Sequence, residues 1–287
     1  MKKSRQSLVG AMLSILLLAS APAAAETGES SFFTDWQKRA ADAKEHQPHW
    51  ASPLVTTTPT LGQQYRYDQA FINKPAGATL ESYGYGKGLE LIPSENTQLI
   101  LGMPAYQEQE TLTSKLTGFT DASLLLKYRL LAANEENGNF ILTGFIATTL
   151  PTGGSAFTYG RPIPTATLAV GKGWGTRKQG FDIQSTLGYA LADDTRKKTG
   201  QPVTWNMVFQ AHVFEKLWPE IETHYTHFTD GPWSGKNQAV VTYGANVGRF
   251  DLTDKLHLTV GAGYQQTVSS FHATTDSGWI MTSRFAF

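Results

Sequence analysis

The sequence predicts an all-β protein: a transmembrane antiparallel β-barrel of about 12 strands, preceded by a short helical and extended segment. Three observations carry that expectation. Segment after segment alternates apolar and polar residues with a period of two, over the length a tilted membrane strand needs. Tight and long connectors alternate between those segments. The last segment is an apolar ladder that a soluble edge strand would not leave uncovered.

Residues 1–25 read as a cleavable signal peptide. Lys2, Lys3 and Arg5 form a basic region, Leu8 to Ala19 an apolar one, and Ala21-Pro22-Ala23-Ala24-Ala25 a small-residue cleavage site. The apolar run is shorter than the roughly 20 residues that span a bilayer, so it does not read as an anchor. Residues 26–60 form a separate segment. Thr34 to Gln37 has capping-box spacing and Asp35 to Glu45 is rich in Ala, Lys, Asp and Glu, which predicts a short helix. Thr56 to Thr60 then stays extended. This segment either hangs in the periplasm or plugs the barrel.

Residues 61–287 carry the strand pattern. The first half reads as strands near 61–72, 80–91, 97–105, 121–131, 139–150 and 165–173. In the second half the period is cleaner, through Phe181 to Tyr189, Asn206 to Val213, Glu220 to Thr226, Val241 to Gly248, Leu256 to Gln265 and Trp279 to Phe287. Pro93–Asn96 and Gly175–Gly180 are tight connectors; Tyr106–Thr120, Pro151–Pro164 and Ala192–Val203 are long ones. An even strand number puts both ends on the periplasmic side. In the last strand Trp279, Met281, Phe285 and Phe287 share one face, and this aromatic end resembles the terminal strand of outer-membrane barrels. Phe285 and Phe287 are therefore expected to engage the barrel-assembly machinery. A soluble two-sheet sandwich has the same period of two, but it explains neither the signal segment nor the apolar terminus.

Lys and Arg number 24 against 24 Asp and Glu, which offers no basic footprint for nucleic acid. Cysteine is absent, so no disulfide or thiolate metal site can form. Gly84, Gly86 and Gly88, like Gly171, Gly173 and Gly175, lack the β-α context of a phosphate loop and read as places of sharp curvature or close approach. No cofactor or metal is expected: His212, His224 and His227 lack tight ligand spacing. The stretch His224 to Gly231 faintly resembles the His-x-Ser-Asn-Gly region of outer-membrane phospholipases. Thr229 stands in place of the nucleophilic serine and Asp230 in place of the asparagine, so no catalytic residue is assigned.

The polar faces of the strands place a mixed set of side chains toward the lumen: Arg66, Asp68, Glu81, Lys127, Arg129, Asp182, Gln184, His212, Glu220, Glu222, His224 and Arg284. Charges of both signs either line a polar path or pair with one another and close the interior. The expected partners are outer-membrane lipids, the assembly machinery and small-molecule solutes.

Two stretches carry a family resemblance. Gly118-Phe-Thr-Asp-Ala-Ser-Leu-Leu-Leu-Lys-Tyr-Arg-Leu-Leu131 and Leu150-Pro-Thr-Gly153 resemble motifs of the outer-membrane transporters of the phenol meta-degradation family. Pro48 to Leu54 with Tyr65-Arg-Tyr-Asp68 is also similar to that family. The matching positions are Asp121, Lys127, Tyr128, Arg129, Pro151 and Gly153. The resemblance implies an outer-membrane barrel that admits small aromatic or hydrophobic compounds, and the family offers no agreed catalytic residues to carry over. A lipid-acting barrel enzyme and a non-conducting structural barrel stay open as alternatives.

Overall fold

Alternation of outward apolar and inward polar residues leaves a strand no stable partner except another strand of the same kind, and here the pairing runs full circle. A computed structural model describes residues 29–85, 87–191 and 201–287. The proposed signal peptide, and most of the connector Ala192–Val203, lie outside the described residues. The chain divides into two units, Met1–Gln37 and Lys38–Phe287. Helix α1, Glu29–Glu45, spans the division. It starts earlier than the Thr34 cap suggests, because no Gly or Pro between Glu29 and Thr34 breaks a helix. The barrel belongs to the second unit.

Fifteen strands build its wall: β1 (Gln64–Asn73), β2 (Thr79–Tyr83), β3 (Gly88–Ser94), β4 (Thr97–Gly102), β5 (Tyr106–Glu110), β6 (Lys115–Phe119), β7 (Ala122–Ala133), β8 (Phe140–Leu150), β9 (Pro164–Gly175), β10 (Gln179–Ala190), β11 (Pro202–Val213), β12 (Leu217–Phe228), β13 (Asn237–Thr253), β14 (Leu256–Thr267) and β15 (Ser277–Ala286). Pairing is antiparallel throughout, and β15 returns to β1 with Phe285 opposite Tyr65 and Trp279 opposite Phe71. The barrel is closed and has no free edge there. Three wall strands are interrupted. β2 and β3 both pair with β1, at its two ends, so they form one bent strand; β4 with β5, and β6 with β7, do the same. Counted this way the wall has 12 strands.

The long connector expected over Tyr106–Thr120 is instead the hairpin of β5 and β6. Its charged residues mask the alternation: Glu108 and Lys115, paired at 2.7 Å, lie on the outer face and make it look like loop. The interruption has a consequence. β6 pairs only with β5, while β7 takes up pairing with β8 from Ala122 onward. The loop 151–163 covers the remaining edge of β6, with the Gly154 amide donating to Phe119 O at 2.8 Å. Asp121 holds that loop, accepting from the amides of Gly153 and Tyr159 at 2.9 Å each. Gly153 has to be glycine for this: a Cβ would stand 2.8 Å from Phe119 O.

The outer surface is apolar where strands cross the middle of the barrel, with Ile146 67% and Tyr243 53% exposed. Aromatic pairs mark its two rims. Tyr264–Trp279, Phe71–Tyr83 and Tyr106–Phe119 lie toward the long loops, and the stacked Trp174–Phe181 pair toward the short turns. An apolar band between two aromatic girdles is the surface a barrel presents to lipid. The short turns, such as 95–96, 176–178 and 254–255, gather at one end of the barrel, which in outer-membrane barrels is the periplasmic end.

Candidate functional site

Inward side chains fall into two zones. Near the periplasmic end they are buried, because residues 48–63 run through the lumen as an extended segment with neither helix nor ladder. Every backbone group of such a segment must find a partner that is not its own secondary structure. The wall supplies them.

Carbonyls meet cations. Arg284 donates to Ser52 O and, at 2.7 Å, to Pro53 O. Arg66 donates to Pro53 O at 3.0 Å and to Leu54 O, while its Nε is held by Asp68 at 2.8 Å. Lys127, fully buried, donates to Thr58 O at 2.9 Å and Thr60 O at 3.0 Å. Arg129 reaches Ala43 O at 2.6 Å. Amides meet carboxylates: Leu54 N donates to Glu220 at 2.8 Å, and Val55 N and Thr56 N to the two oxygens of Glu222 at 2.8 and 2.7 Å. The mixed signs of the lining are thus complementary to a peptide backbone, which offers donors and acceptors in turn. Charge-assisted hydrogen bonds of this kind are roughly twice as strong as neutral ones, and they offset the cost of burying the ions.

Apolar contacts fix the register of the segment. Trp50 donates its indole N–H to Asn139 at 3.0 Å, and its ring fills the space above Gly171, where a Cβ would stand 2.4 Å away. Leu54, 1% exposed, fits the hollow left by Gly244 and Gly263, whose added Cβ atoms would approach it to 2.3 and 2.7 Å. Below it, Ala40 and Ala43 of α1 pack with Leu61 and Ile92.

The lining expected from the sequence divides between the two zones. Arg66, Asp68, Lys127, Arg129, Glu220, Glu222 and Arg284 converge on the extended segment or on one another. Asp182 bonds His212 at 2.6 Å and Gln184 at 2.8 Å in the buried wall. His224 lies in the outer zone, half-buried, and forms a chain with Asn206 and, at 3.1 Å, Thr226. Glu81 is a correction. It pairs with Phe71, shares that residue's outer face, and takes the Tyr83 hydroxyl at 2.7 Å. Its strand rises past the aromatic rim, where an outward acid meets polar surroundings. Sequence reasoning missed Glu90, Gln98, Thr143 and Gln210, all inward. Gln98 donates to Gly62 O and to Glu90, Thr143 to Pro59 O, and Gln210 accepts from Ala51 N. For Glu90 a signal was present: it alternates with Leu89 and Leu91.

Of the family-motif positions, Lys127 and Arg129 hold the segment, Asp121 and Gly153 the loop, and Tyr128 faces outward. Pro151 opens the loop. Phe285 pairs with Leu258 and Tyr65 in the closing seam, and the Phe287 amide donates to Gln63 O at 3.2 Å. In the phospholipase-like stretch, the Thr229 hydroxyl donates to Gln201 O and His227 contacts Asn237.

At the periplasmic mouth, Glu135 in the turn 134–139 anchors the segment. It accepts from His49 N at 2.7 Å and His49 Nδ1 at 2.9 Å. Burial pushes its carboxyl up, but these hydrogen bonds outweigh burial and hold it at about 2, against an ordinary 4.5. A depressed carboxyl contributes stability above the unfolded pKa and loses it as pH falls through the folded one. Hydrogen-exchange protection at the His49 amide is therefore expected to decline between about pH 4.5 and 2. Glu135→Gln should remove that pH dependence; an identical decline in the variant would dismiss the anchor.

No family model matches the chain, and no curated protein matches it. Among solved structures it is similar to the COG4313 outer membrane channel from Pseudomonas putida F1, at 13% identity and TM-score 0.50 over 82% of this chain and 98% of that one. It is also similar to the NanC porin, at 8% identity and TM-score 0.49 over 78% of this chain and 98% of that one. At such identities the fold is what is shared. The chain has the closed 12-strand barrel fold found in outer-membrane channels.

Proposed function

We propose that this protein is an outer-membrane channel for small molecules, exported through a cleaved signal peptide, whose lumen is occupied by its own residues 48–63. One observation carries the reading: a lipid-compatible barrel whose inward wall is buried around that segment, while beyond it buried residues such as Thr186, Thr226 and Gln238 alternate with partly exposed ones. Thr167, Thr204, Asn206 and His224, all inward, keep partial exposure on the long-loop side and leave room there for a small solute. A structural barrel has no need of such a space. The sequence resemblance favours small aromatic or hydrophobic compounds as solutes.

The test is a pair of measurements on refolded protein. Planar bilayers should show small single-channel steps, and liposome swelling should admit only the smallest of a graded series of solutes. Adding small aromatic solutes should reduce or block the current. Absence of both conductance and swelling, in protein shown to be inserted, would move the assignment to a non-conducting barrel.

A further inference from the structure

Two cavities lie side by side along β7. One is polar, about 330 Å³, and lies at the periplasmic end between the C-terminal end of α1, the turn 95–96 and β7; His46, Glu95 and Arg129 line it. The other is an apolar groove of about 420 Å³ on the outer face of β7, β8 and β9, between Leu126, Ile146 and Leu168. Tyr128 and Leu130 line both.

Each has a cause in the sequence. Tyr128, Gly144 and Leu168 form one cross-strand row on the lipid face. Glycine leaves a notch one side chain deep there, since an added Cβ would meet nothing within 4 Å. The polar cavity accompanies a bulge. Register slips between Arg129 and Leu131, so Leu130 and Leu131 are both exposed, at 50% and 58%. Arg129 turns the other way. Its guanidinium donates to Asn96 Oδ1 through Nε and Nη2, to Glu95 O through Nη2 and to Ala43 O through Nη1. One Nη1 N–H is left over. His46 donates Nδ1 to Asp42 O, which leaves Nε2 for another partner. Because Arg129 takes Glu95 by its carbonyl, the Glu95 carboxylate is exposed and unengaged by a hydrogen bond in the described residues.

We propose that these two cavities bind one phospholipid of the periplasmic leaflet whose headgroup carries both a phosphate and a primary ammonium, of the phosphatidylethanolamine class. The phosphate faces the Arg129 guanidinium and His46, the ammonium faces the Glu95 carboxylate, and one acyl chain lies along Tyr128 and Leu130 into the notch at Gly144. The Arg129 guanidinium beside an apolar groove is complementary to a lipid phosphate. The neighbouring acid selects against a purely anionic headgroup. The inference rests on the chain being membrane-embedded and is independent of whether it conducts.

Full-length protein in phosphatidylcholine nanodiscs, doped with phosphatidylethanolamine or phosphatidylglycerol, tests it by native mass spectrometry. One phosphatidylethanolamine should be retained several-fold more often than phosphatidylglycerol or phosphatidylcholine. Glu95→Gln should erase the preference over phosphatidylglycerol. Gly144→Leu, which fills the notch from the outer face without touching the lumen, should cut retention several-fold while the barrel keeps its heat-modifiable mobility. Equal retention of the three lipids, or retention unmoved by both variants, overturns the proposal. So does a stable dimer that buries Gly144, detected by cross-linking Gly144→Cys. Wild-type protein that fails to enter discs as a heat-modifiable barrel would instead sink the membrane reading, so the two failures are distinct.

Discussion

Removing residues 38–60 is expected to raise single-channel conductance at least several-fold while the barrel still assembles. The segment's backbone is what narrows the periplasmic half of the lumen, through Arg66, Arg284 and Lys127 on its carbonyls and Glu220 and Glu222 on its amides. Without it those side chains lose their partners, and a dry interior would make that loss severe. A wall of 12 strands leaves room for water to enter instead, so the charges become hydrated and the penalty falls. The wall's own ladder, closed between β15 and β1, does not involve the deleted residues. Selectivity should be weak, because the exposed cations Arg66, Lys127 and Arg284 face Asp68, Glu90, Glu220 and Glu222. Planar-bilayer recordings check this. Unchanged conductance in a correctly inserted variant would mean the segment does not narrow the path.

The second large effect concerns Lys127. On an open wall, reversing the charge of an inward cation would tune selectivity at little cost in stability. The geometry at Lys127 is different. The ammonium is fully buried, bonded to Thr58 O and Thr60 O, and stands 5.2 Å from the Phe145 ring centroid. Lys127→Glu puts a carboxylate against two carbonyls, and breaking a buried charge from its partners costs about 3–5 kcal/mol. Urea unfolding in detergent micelles should show a loss of that order. In the variant lacking 38–60 the same substitution should cost far less, since its partners are gone. Equal costs in the two backgrounds would show that Lys127 serves the wall and not the segment, by the logic of a double-mutant cycle.

Much of the barrel was legible without coordinates because period-two alternation is a local property. Which face of β15 carries Trp279, Met281 and Phe285, and which face of β1 carries Arg66 and Asp68, is set by neighbours in the chain alone. The hairpin of β5 and β6 was not legible. Above the aromatic rim the outer face no longer meets lipid, so Glu108 and Lys115 replace apolar residues and the alternation fades. Glu81 departs from the expected lining for the same reason: at that height an outward charge is tolerated, so height along the strand decides its surroundings as much as polarity does.

By itself the sequence determined the class of fold, the size of the barrel and the inward or outward facing of most strand residues. Each depends on contacts one or two positions away, or on a lipid boundary that acts on every strand alike. Only the tertiary structure decided what the inward charges do. Arg66, Lys127, Glu222 and Arg284 come from strands far apart in the chain, and the atoms they meet are backbone groups of residues 52–60. A backbone carbonyl is the same in every residue, so no side-chain pattern in that segment announces its partners. The complementarity exists only once the barrel has closed around it.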